Sequence, residues 1–140
     1  MTTPEEARRN AAAMWAEDRA SQHAGIELAD VGPGRATVRM TVAPTMINGL
    51  GVCHGGWIFL LADTAFAFAG NSHGPTAYAQ AADVVFVRPA RLGERLEAVA
   101  SERTVYGRNA LYDVTVRVGD SVVAEFRGRL RTVGDGAPPG

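Results

Sequence analysis

The segment Asn48–Gly56 and the single acid Asp63 are the parts of this sequence best suited to chemistry. The segment is glycine-rich and leads into an apolar stretch, Trp57–Gly70, in which Asp63 is the only charged residue. A helix that begins here would offer unpaired backbone N–H groups and the positive end of its dipole, which stabilise developing negative charge. A carboxylate among Phe, Leu and Ala side chains costs about 2 kcal/mol or more unless it has partners. Folding alone does not require that cost, so Asp63 is the first candidate for a catalytic group.

The surrounding sequence predicts an α+β fold in which a curved antiparallel sheet wraps around one long helix. Thr3-Pro4-Glu5-Glu6 has the form of a capping box that starts a helix running to about Ala20. The central helix begins near Gly55, ends at Gly70-Asn71 and is apolar nearly all round, so the sheet should cover it closely. The predicted strands are Gly25–Val31, Arg35–Val42, Tyr78–Val87, Arg95–Tyr106, Ala110–Val118 and Ser121–Thr132. Such a sheet has open edges, which commonly recruit a second copy.

Length and composition predict one ordinary domain. The chain has 140 residues, of which 46% are hydrophobic. We expect an N-terminal helix at 1–20, the main domain at 21–133 and a disordered tail at 134–140. The N-terminus is polar and acidic, which is wrong for a signal or transit peptide, so the expected location is cytoplasmic. The stretch Trp57–Phe68 is too short and carries Asp63, which excludes a membrane span.

Charge and cysteine content exclude several classes of partner. The net charge is −1, and the fourteen basic residues, all arginine, form no run that would suggest nucleic-acid binding. The single cysteine, Cys53, excludes an internal disulfide and a cysteine-rich zinc site. His23, His54 and His73 lack metal-ligand spacing, so we expect no metal and no other cofactor.

Spacing along the central helix predicts that the site is shared between two subunits. Asp63 follows Gly55 by eight residues, which is roughly 12 Å along a helix axis. An aspartate side chain cannot reach back that far. If the Gly55 N–H and Asp63 act on one carbonyl, they must therefore come from different subunits, and the catalytic unit is a dimer with two composite sites.

Within such a site, each residue type suggests a role. The Gly55 N–H would polarise an acyl carbonyl, and Asp63 would activate water as a general base or attack as a nucleophile. His54 and Asn48 would shape the loop, orient water or hold the carbonyl. Thr64, next to Asp63, would position the acid or the water.

Five segments of the chain resemble the hotdog-fold acyl-CoA thioesterases, in particular those of phenylacetate degradation. The similarity covers about 11–130 in the same order. Its segments are Met46–Gly49, Cys53–Gly56, Leu61–Ala67, Phe86–Pro89 and Ala124–Gly128. The resemblance implies a hotdog fold, a dimer built into a homotetramer, and hydrolysis of aryl- or hydroxyaryl-acetyl-CoA esters, with coenzyme A as part of the substrate.

The resemblance also assigns residues. It makes Asp63 the catalytic acid or base, Gly55 the carbonyl-polarising amide, and Asn48 and His54 supporting loop residues. In enzymes of this kind the coenzyme A arm lies along the subunit surface near strand ends. The corresponding positions here are Arg88, Pro89, Gly107, Arg108 and Asn109.

Each assignment has a structural alternative. Asp63 could pair with an arginine such as Arg88 across a dimer interface, and His54 could merely cap the helix. Cys53 beside His54 suggests a cysteine–histidine dyad, but sequence neighbours seldom point together and no orienting partner is evident. Arg108 could be only a charge at a hairpin tip. Four aromatic residues fit core or interface packing better than a substrate pocket, namely Trp57, Phe59, Phe66 and Phe68.

Two other functions compete with thioester hydrolysis. Hotdog dehydratases or hydratases resemble a different pattern, with an aspartate a few residues before the histidine or a proline-glycine helix start with a glutamate. Here Gly49 stands five residues before His54 and the helix begins with two glycines. A non-catalytic acyl-CoA sensor would need an appended DNA-binding domain, which a twenty-residue N-terminal helix cannot provide.

Overall fold

The computed structural model describes residues 1–133, so the tail predicted at 134–140 lies outside the described residues. Its elements are α1 (Pro4–Glu17), α2 (Arg19–His23), β1 (Glu27–Gly32), β2 (Arg35–Thr41), a 3-10 turn (Pro44–Met46), α3 (Gly55–Asn71), β3 (Ala77–Phe86), β4 (Arg95–Tyr106), β5 (Asn109–Val118) and β6 (Ser121–Thr132). The strands form one antiparallel sheet in the order β1-β2-β4-β5-β6-β3. α3 packs against this sheet, which confirms the predicted α+β architecture with one long central helix. No helix within residues 1–133 is long and apolar enough to cross a membrane.

The N-terminal helix begins as predicted but ends earlier. The Thr3 side chain accepts a hydrogen bond from the Glu6 N–H, and the Glu6 carboxylate accepts one from the Thr3 N–H, which completes the capping box. The predicted end at Ala20 is wrong, because α1 stops at Glu17. Asp18 leaves the helical conformation, and its side chain accepts the Ser21 N–H to cap α2.

The strand pattern predicted for β2 is confirmed. Ala36, Val38 and Met40 are buried on one face, while the residues between them are partly or fully exposed. β4, β5 and β6 follow one another as hairpins, so most of the sheet is a simple meander. Gly107 and Gly119 adopt positive φ at the two hairpin turns, a conformation that glycine reaches without steric cost.

Two glycines make room for large side chains between α3 and β6. A Cβ atom added to Gly128 would lie 2.6 Å from Cζ of Phe66, and one added to Gly70 would collide with the Leu130 side chain. The Phe66 ring also packs against Tyr112 and Phe126, with ring centroids 5.7 Å and 5.6 Å away. The lack of a side chain at each glycine therefore lets Phe66 and Leu130 pack between the helix and β6.

β3 is an edge strand that runs alongside α3 in the opposite direction. The Asn71 side chain, at the end of α3, bonds both the N–H and the carbonyl oxygen of Ala77, where β3 begins. Phe86, where β3 ends, lies against Gly55, where α3 begins. β3 is exposed over most of its length, and within the described residues it pairs only with β6.

One stripe of α3 lacks the complete cover that its apolar composition predicts. Gly56, Leu60, Asp63 and Ala67 follow one another at helical spacing and are all partly or fully exposed. Most of the other residues of α3 are buried. The helix therefore keeps a partly open face, and Asp63 lies on it.

We expect Gly128→Ala to lower the free energy of unfolding by about 1–3 kcal/mol, because the new methyl group would overpack the Phe66 ring. Urea unfolding followed by tryptophan fluorescence measures this. Gly49→Ala is the matched control, since a Cβ there meets nothing within 4 Å. It should change stability by no more than about 0.5 kcal/mol. Equal effects of the two substitutions would contradict the close-packing account.

Candidate active site

The loop before α3 is held in shape by Asn48. Its side-chain oxygen accepts the N–H groups of Leu50 at 2.9 Å and Val52 at 3.3 Å. Its backbone N–H donates to the Val52 carbonyl oxygen at 2.8 Å, and Ile47 forms an isolated bridge with Cys53. Asn48 thus organises the loop that leads to α3.

His54 caps α3 through its side chain. Nδ1 accepts the Gly56 N–H at 3.0 Å, and the His54 N–H donates to the Met46 carbonyl oxygen at 2.8 Å. Since Nδ1 is an acceptor, a neutral His54 carries its proton on Nε2, and the ring is exposed. Nδ1 of His54 therefore acts as the helix cap, while the exposed Nε2–H can still meet a substrate or a water.

The Gly55 N–H lies at the first position of α3 and has no hydrogen-bond partner within residues 1–133. The neighbouring N–H groups are occupied, since that of Gly56 binds His54 Nδ1 and that of Trp57 binds the His54 carbonyl oxygen. The cap therefore leaves Gly55 as the free donor of this first turn. A free donor at the positive end of a helix is suited to an acyl carbonyl oxygen.

Asp63 is half-buried on the partly open stripe of α3, and none of the described residues pairs with it. Burial raises the pKa of Asp63 above its usual value, because it penalises the charged carboxylate. An acid with a raised pKa and no structural partner is typical of catalytic groups. Asp63 and Gly55 are about two helical turns apart on one helix, so the Asp63 side chain cannot reach a group bound at the Gly55 N–H of its own protomer.

The geometry does not support the expected role of Thr64. Its hydroxyl is buried, donates to the Leu60 carbonyl oxygen at 2.8 Å and lies 3.0 Å from the Ser21 hydroxyl. Ser21 in turn donates to Asp18 at 2.7 Å. The Thr64 side chain thus joins α3 to α2. Asp63 and Thr64 are adjacent in sequence, but their side chains lie on different sides of the helix.

A cysteine–histidine dyad does not form. Cys53 is buried, and its Sγ lies 3.7 Å from the backbone oxygen of His54, while the imidazole Nδ1 is occupied by Gly56. Burial raises the pKa of the Cys53 thiol, which disfavours the reactive thiolate.

The two predicted coenzyme A segments lie at opposite ends of α3. Arg88 and Pro89 directly follow β3, which ends beside Gly55. The Arg88 guanidinium donates to the Ser121 hydroxyl and to the Pro89 carbonyl oxygen, both at 2.6 Å, and lies 3.6 Å from Glu94. Within residues 1–133 of one protomer, the partners of the Arg88 guanidinium do not include Asp63.

Gly107, Arg108 and Asn109 form the β4–β5 turn near the other end of the helix. With Gly70 and His73 they line a cavity of about 300 Å³. Gly55 and Asn71 are about 24 Å apart along α3 at 1.5 Å per residue. One protomer alone therefore cannot bring both segments to one helix start.

The structure also reveals a contact that sequence reasoning missed. The Phe86 ring lies over Gly55, and a Cβ added at Gly55 would be 2.9 Å from its Cζ. The sequence places Phe86 at a strand end, but no local pattern indicates which helix residue it meets.

Comparison with known proteins gives the family. Residues 50–125, which include the start of α3 and Asp63, match the family model of the thioesterase superfamily. The acyl-coenzyme A thioesterase PaaI of Escherichia coli K12 is 41% identical over 126 residues, which cover 89% of this chain and 90% of that protein.

Comparison with solved structures gives the same family. The structure of the E. coli PaaI protein from the phenylacetic acid degradation operon superposes with a TM-score of 0.92, at 39% identity over 95% of this chain and 97% of the other. A variant of the phenylacetic acid degradation protein PaaI from Thermus thermophilus gives 0.81, at 34% identity over 83% and 100%. The chain therefore belongs to the thioesterase superfamily, as a thioester hydrolase with the hotdog fold.

Proposed function

We propose that this protein is a cytoplasmic thioesterase that hydrolyses aryl-acetyl-CoA esters, such as phenylacetyl-CoA or its ring-hydroxylated forms, to the free acid and coenzyme A. The observation that carries the proposal is an unpaired, half-buried Asp63 on a partly open stripe of α3 whose first N–H is free within the described residues. The substrate class is supported by the E. coli relative, which is named an acyl-coenzyme A thioesterase and comes from a phenylacetic acid degradation operon.

The catalytic unit of this proposal is a homodimer with composite sites. Gly55 and Asp63 lie roughly 12 Å apart along α3. A two-fold axis at the level of Phe59, midway between them, would bring Gly55 of one protomer to Asp63 of the partner. The smallest active unit is then a dimer. We propose that two dimers form a homotetramer, as the family resemblance implies.

The exposed edge of β3 supports this arrangement. Its backbone groups on the side away from β6 are free to pair with the same strand of a second copy, because an isologous interface uses one surface twice. β3 runs beside the open stripe of α3 that holds Asp63, so one contact would both complete the sheet and cover the stripe.

The same two-fold arrangement would bring the two predicted coenzyme A segments to one site. Rotation about an axis near Phe59 moves the Gly107–Asn109 turn of the partner towards the Gly55 end of the first protomer. Arg88 and Pro89 are already at that end. We therefore assign the coenzyme A path to Arg88 and Pro89 of one protomer and the Gly107–Asn109 turn of the partner, with Arg108 as a ligand for phosphate.

In the proposed reaction, the Gly55 N–H and the helix dipole stabilise the negative charge that develops on the carbonyl oxygen. The partner's Asp63 takes a proton from the attacking water, or attacks the carbonyl itself to form an anhydride that water then cleaves. The C–S bond breaks, and the thiolate of coenzyme A leaves and takes up a proton. The exposed Nε2–H of His54 and the loop held by Asn48 border this carbonyl.

The first test is thiol release from a panel of phenylacetyl-CoA, hydroxyphenylacetyl-CoA, benzoyl-CoA and straight-chain acyl-CoA esters. We expect the aryl-acetyl esters to give the highest kcat/KM, and Asp63→Asn to lower kcat about a hundredfold or more because it cannot accept a proton. Asp120→Asn, in the exposed β5–β6 turn, is the control. Unchanged turnover by Asp63→Asn would remove Asp63 from the mechanism, and no release from any ester would refute the proposed function.

A second test concerns the shared site. Asp63→Asn and Gly55→Pro, which removes the N–H, should each be inactive alone. Mixing them should restore roughly a quarter of wild-type activity, since random exchange makes half of the dimers mixed and each mixed dimer holds one intact site. Native mass spectrometry verifies the exchange. If exchange is complete and activity does not return, the two groups do not act across an interface.

A third test uses pH. Because burial raises the pKa of Asp63, the acidic limb of kcat/KM should lie above the ordinary aspartate value of about 4. The folded state then binds this proton more tightly than the unfolded state does. Ionised Asp63 thus costs stability above its folded pKa, and the cost disappears as the pH falls through the unfolded value.

Asp63→Asn should accordingly have a higher Tm than wild type at pH 8, and this difference should shrink as the pH approaches about 4. Differential scanning fluorimetry across pH measures it, with Asp120→Asn again as control. A variant less stable than wild type at pH 8 would mean that ionised Asp63 has a stabilising partner.

A further inference from the structure

The start of α3 is in contact with an aromatic ring from the end of β3. A Cβ added to Gly55 would lie 2.9 Å from Cζ of Phe86, 3.2 Å from Cε1 and 3.4 Å from Cε2. The far end of the ring therefore lies in the space that a Cβ of Gly55, the residue with the free N–H, would need. Within the protomer the rest of the ring is not covered, since half of Phe86 remains exposed.

Space, and not backbone conformation, is what requires glycine here. Gly55 is absent from the glycines with positive φ, and it occupies the first position of a regular helix, where alanine is acceptable to the backbone. The nearest atoms that an added Cβ would meet all belong to Phe86. The identity of residue 55 is therefore tied to residue 86, which lies thirty-one positions away in the sequence.

Both partners of this contact are anchored. Phe86 pairs with Ala124 in β6, and the next two N–H groups, of Val87 and Arg88, both donate to the Val123 carbonyl oxygen, at 2.8 Å and 3.2 Å. The Cys53 N–H, two residues before Gly55, donates to the Ala90 carbonyl oxygen at 2.8 Å. The segments before α3 and after β3 are thus fastened together, which fixes the backbones of Gly55 and Phe86 relative to each other.

We propose that Phe86 is a positioning residue of the thioester site: its ring fixes the start of α3 so that the Gly55 N–H meets the scissile carbonyl, and it shields one side of that N–H from water. The proposal rests on the role of Gly55 in the proposed function. It adds a residue of β3 to a site otherwise built from α3 and the loop before it.

The contact predicts a specific pattern of kinetics. Phe86→Ala should lower kcat about tenfold with a smaller change in KM, because a donor misplaced by a fraction of an ångström loses part of its hold on the transition state. Val85→Ala is the matched control. Val85 is the preceding residue of β3, faces the other side of the sheet and is exposed to a similar extent, at 59% against 50% for Phe86. It should keep wild-type kcat.

A double-mutant cycle then separates positioning from mere stability. Gly55→Ala should lower kcat at least about tenfold, since its methyl group must displace the ring. The double variant Gly55→Ala with Phe86→Leu, whose shorter side chain leaves room for the methyl group, should recover the kcat of Phe86→Leu alone. Rates are measured with phenylacetyl-CoA, and Tm and native mass are recorded for each variant.

The outcomes are distinguishable. If wild type and Val85→Ala are active and Phe86→Ala is equally active, the positioning role is wrong while the proposed function stands. If Phe86→Leu fails to relieve Gly55→Ala, so that the two effects multiply, the contact does not set the position of residue 55 and the proposal is overturned. If wild type releases no thiol from any ester, the proposed function itself fails. A loss of kcat in Phe86→Ala together with rescue in the double variant supports the proposal.

Discussion

The distance between α3 and the sheet is the constraint on which the rest of the molecule depends. Gly128 on β6 admits the ring of Phe66, and Gly70 on the helix admits the side chain of Leu130. A larger residue at either glycine would push the helix outwards and open the core. Because these side chains hold the helix against the sheet, packing determines the direction in which Asp63 points, while the loop with its His54 cap determines where α3 begins.

A missing Cβ also allows close packing at Gly55, whose N–H is proposed to bind the carbonyl. At its start, as at Gly70 near its end, α3 meets a large side chain where a Cβ is missing, and here the neighbour is Phe86 from the edge strand. The first N–H of the helix is therefore held rigidly while it lacks a partner among the described residues. A rigid, unsatisfied donor needs no reorganisation when charge develops next to it, which is the property that electrostatic catalysis requires.

Local patterns were enough to predict most of the fold and part of the site. The alternation through Val38 and Met40, the capping box at Thr3 and the glycine turns each depend on neighbouring residues, and all are confirmed. Contacts between residues that are far apart in the sequence could not be predicted from such local patterns. The sequence did not reveal that the Thr64 hydroxyl turns to Ser21, because the element that lies opposite each side of a helix depends on how the chain packs as a whole.

The order of the elements along the chain has a consequence for synthesis. α3 is apolar over most of its surface and is complete at Asn71, whereas β4, β5 and β6, which cover much of it, end only at Thr132. About 60 residues must therefore be added after the helix, which takes several seconds at about 5–20 residues per second. During that interval β1 and β2 are the strands already made that can shield it. The growing chain thus passes through a stage in which its most hydrophobic helix lacks the cover that β4, β5 and β6 later provide.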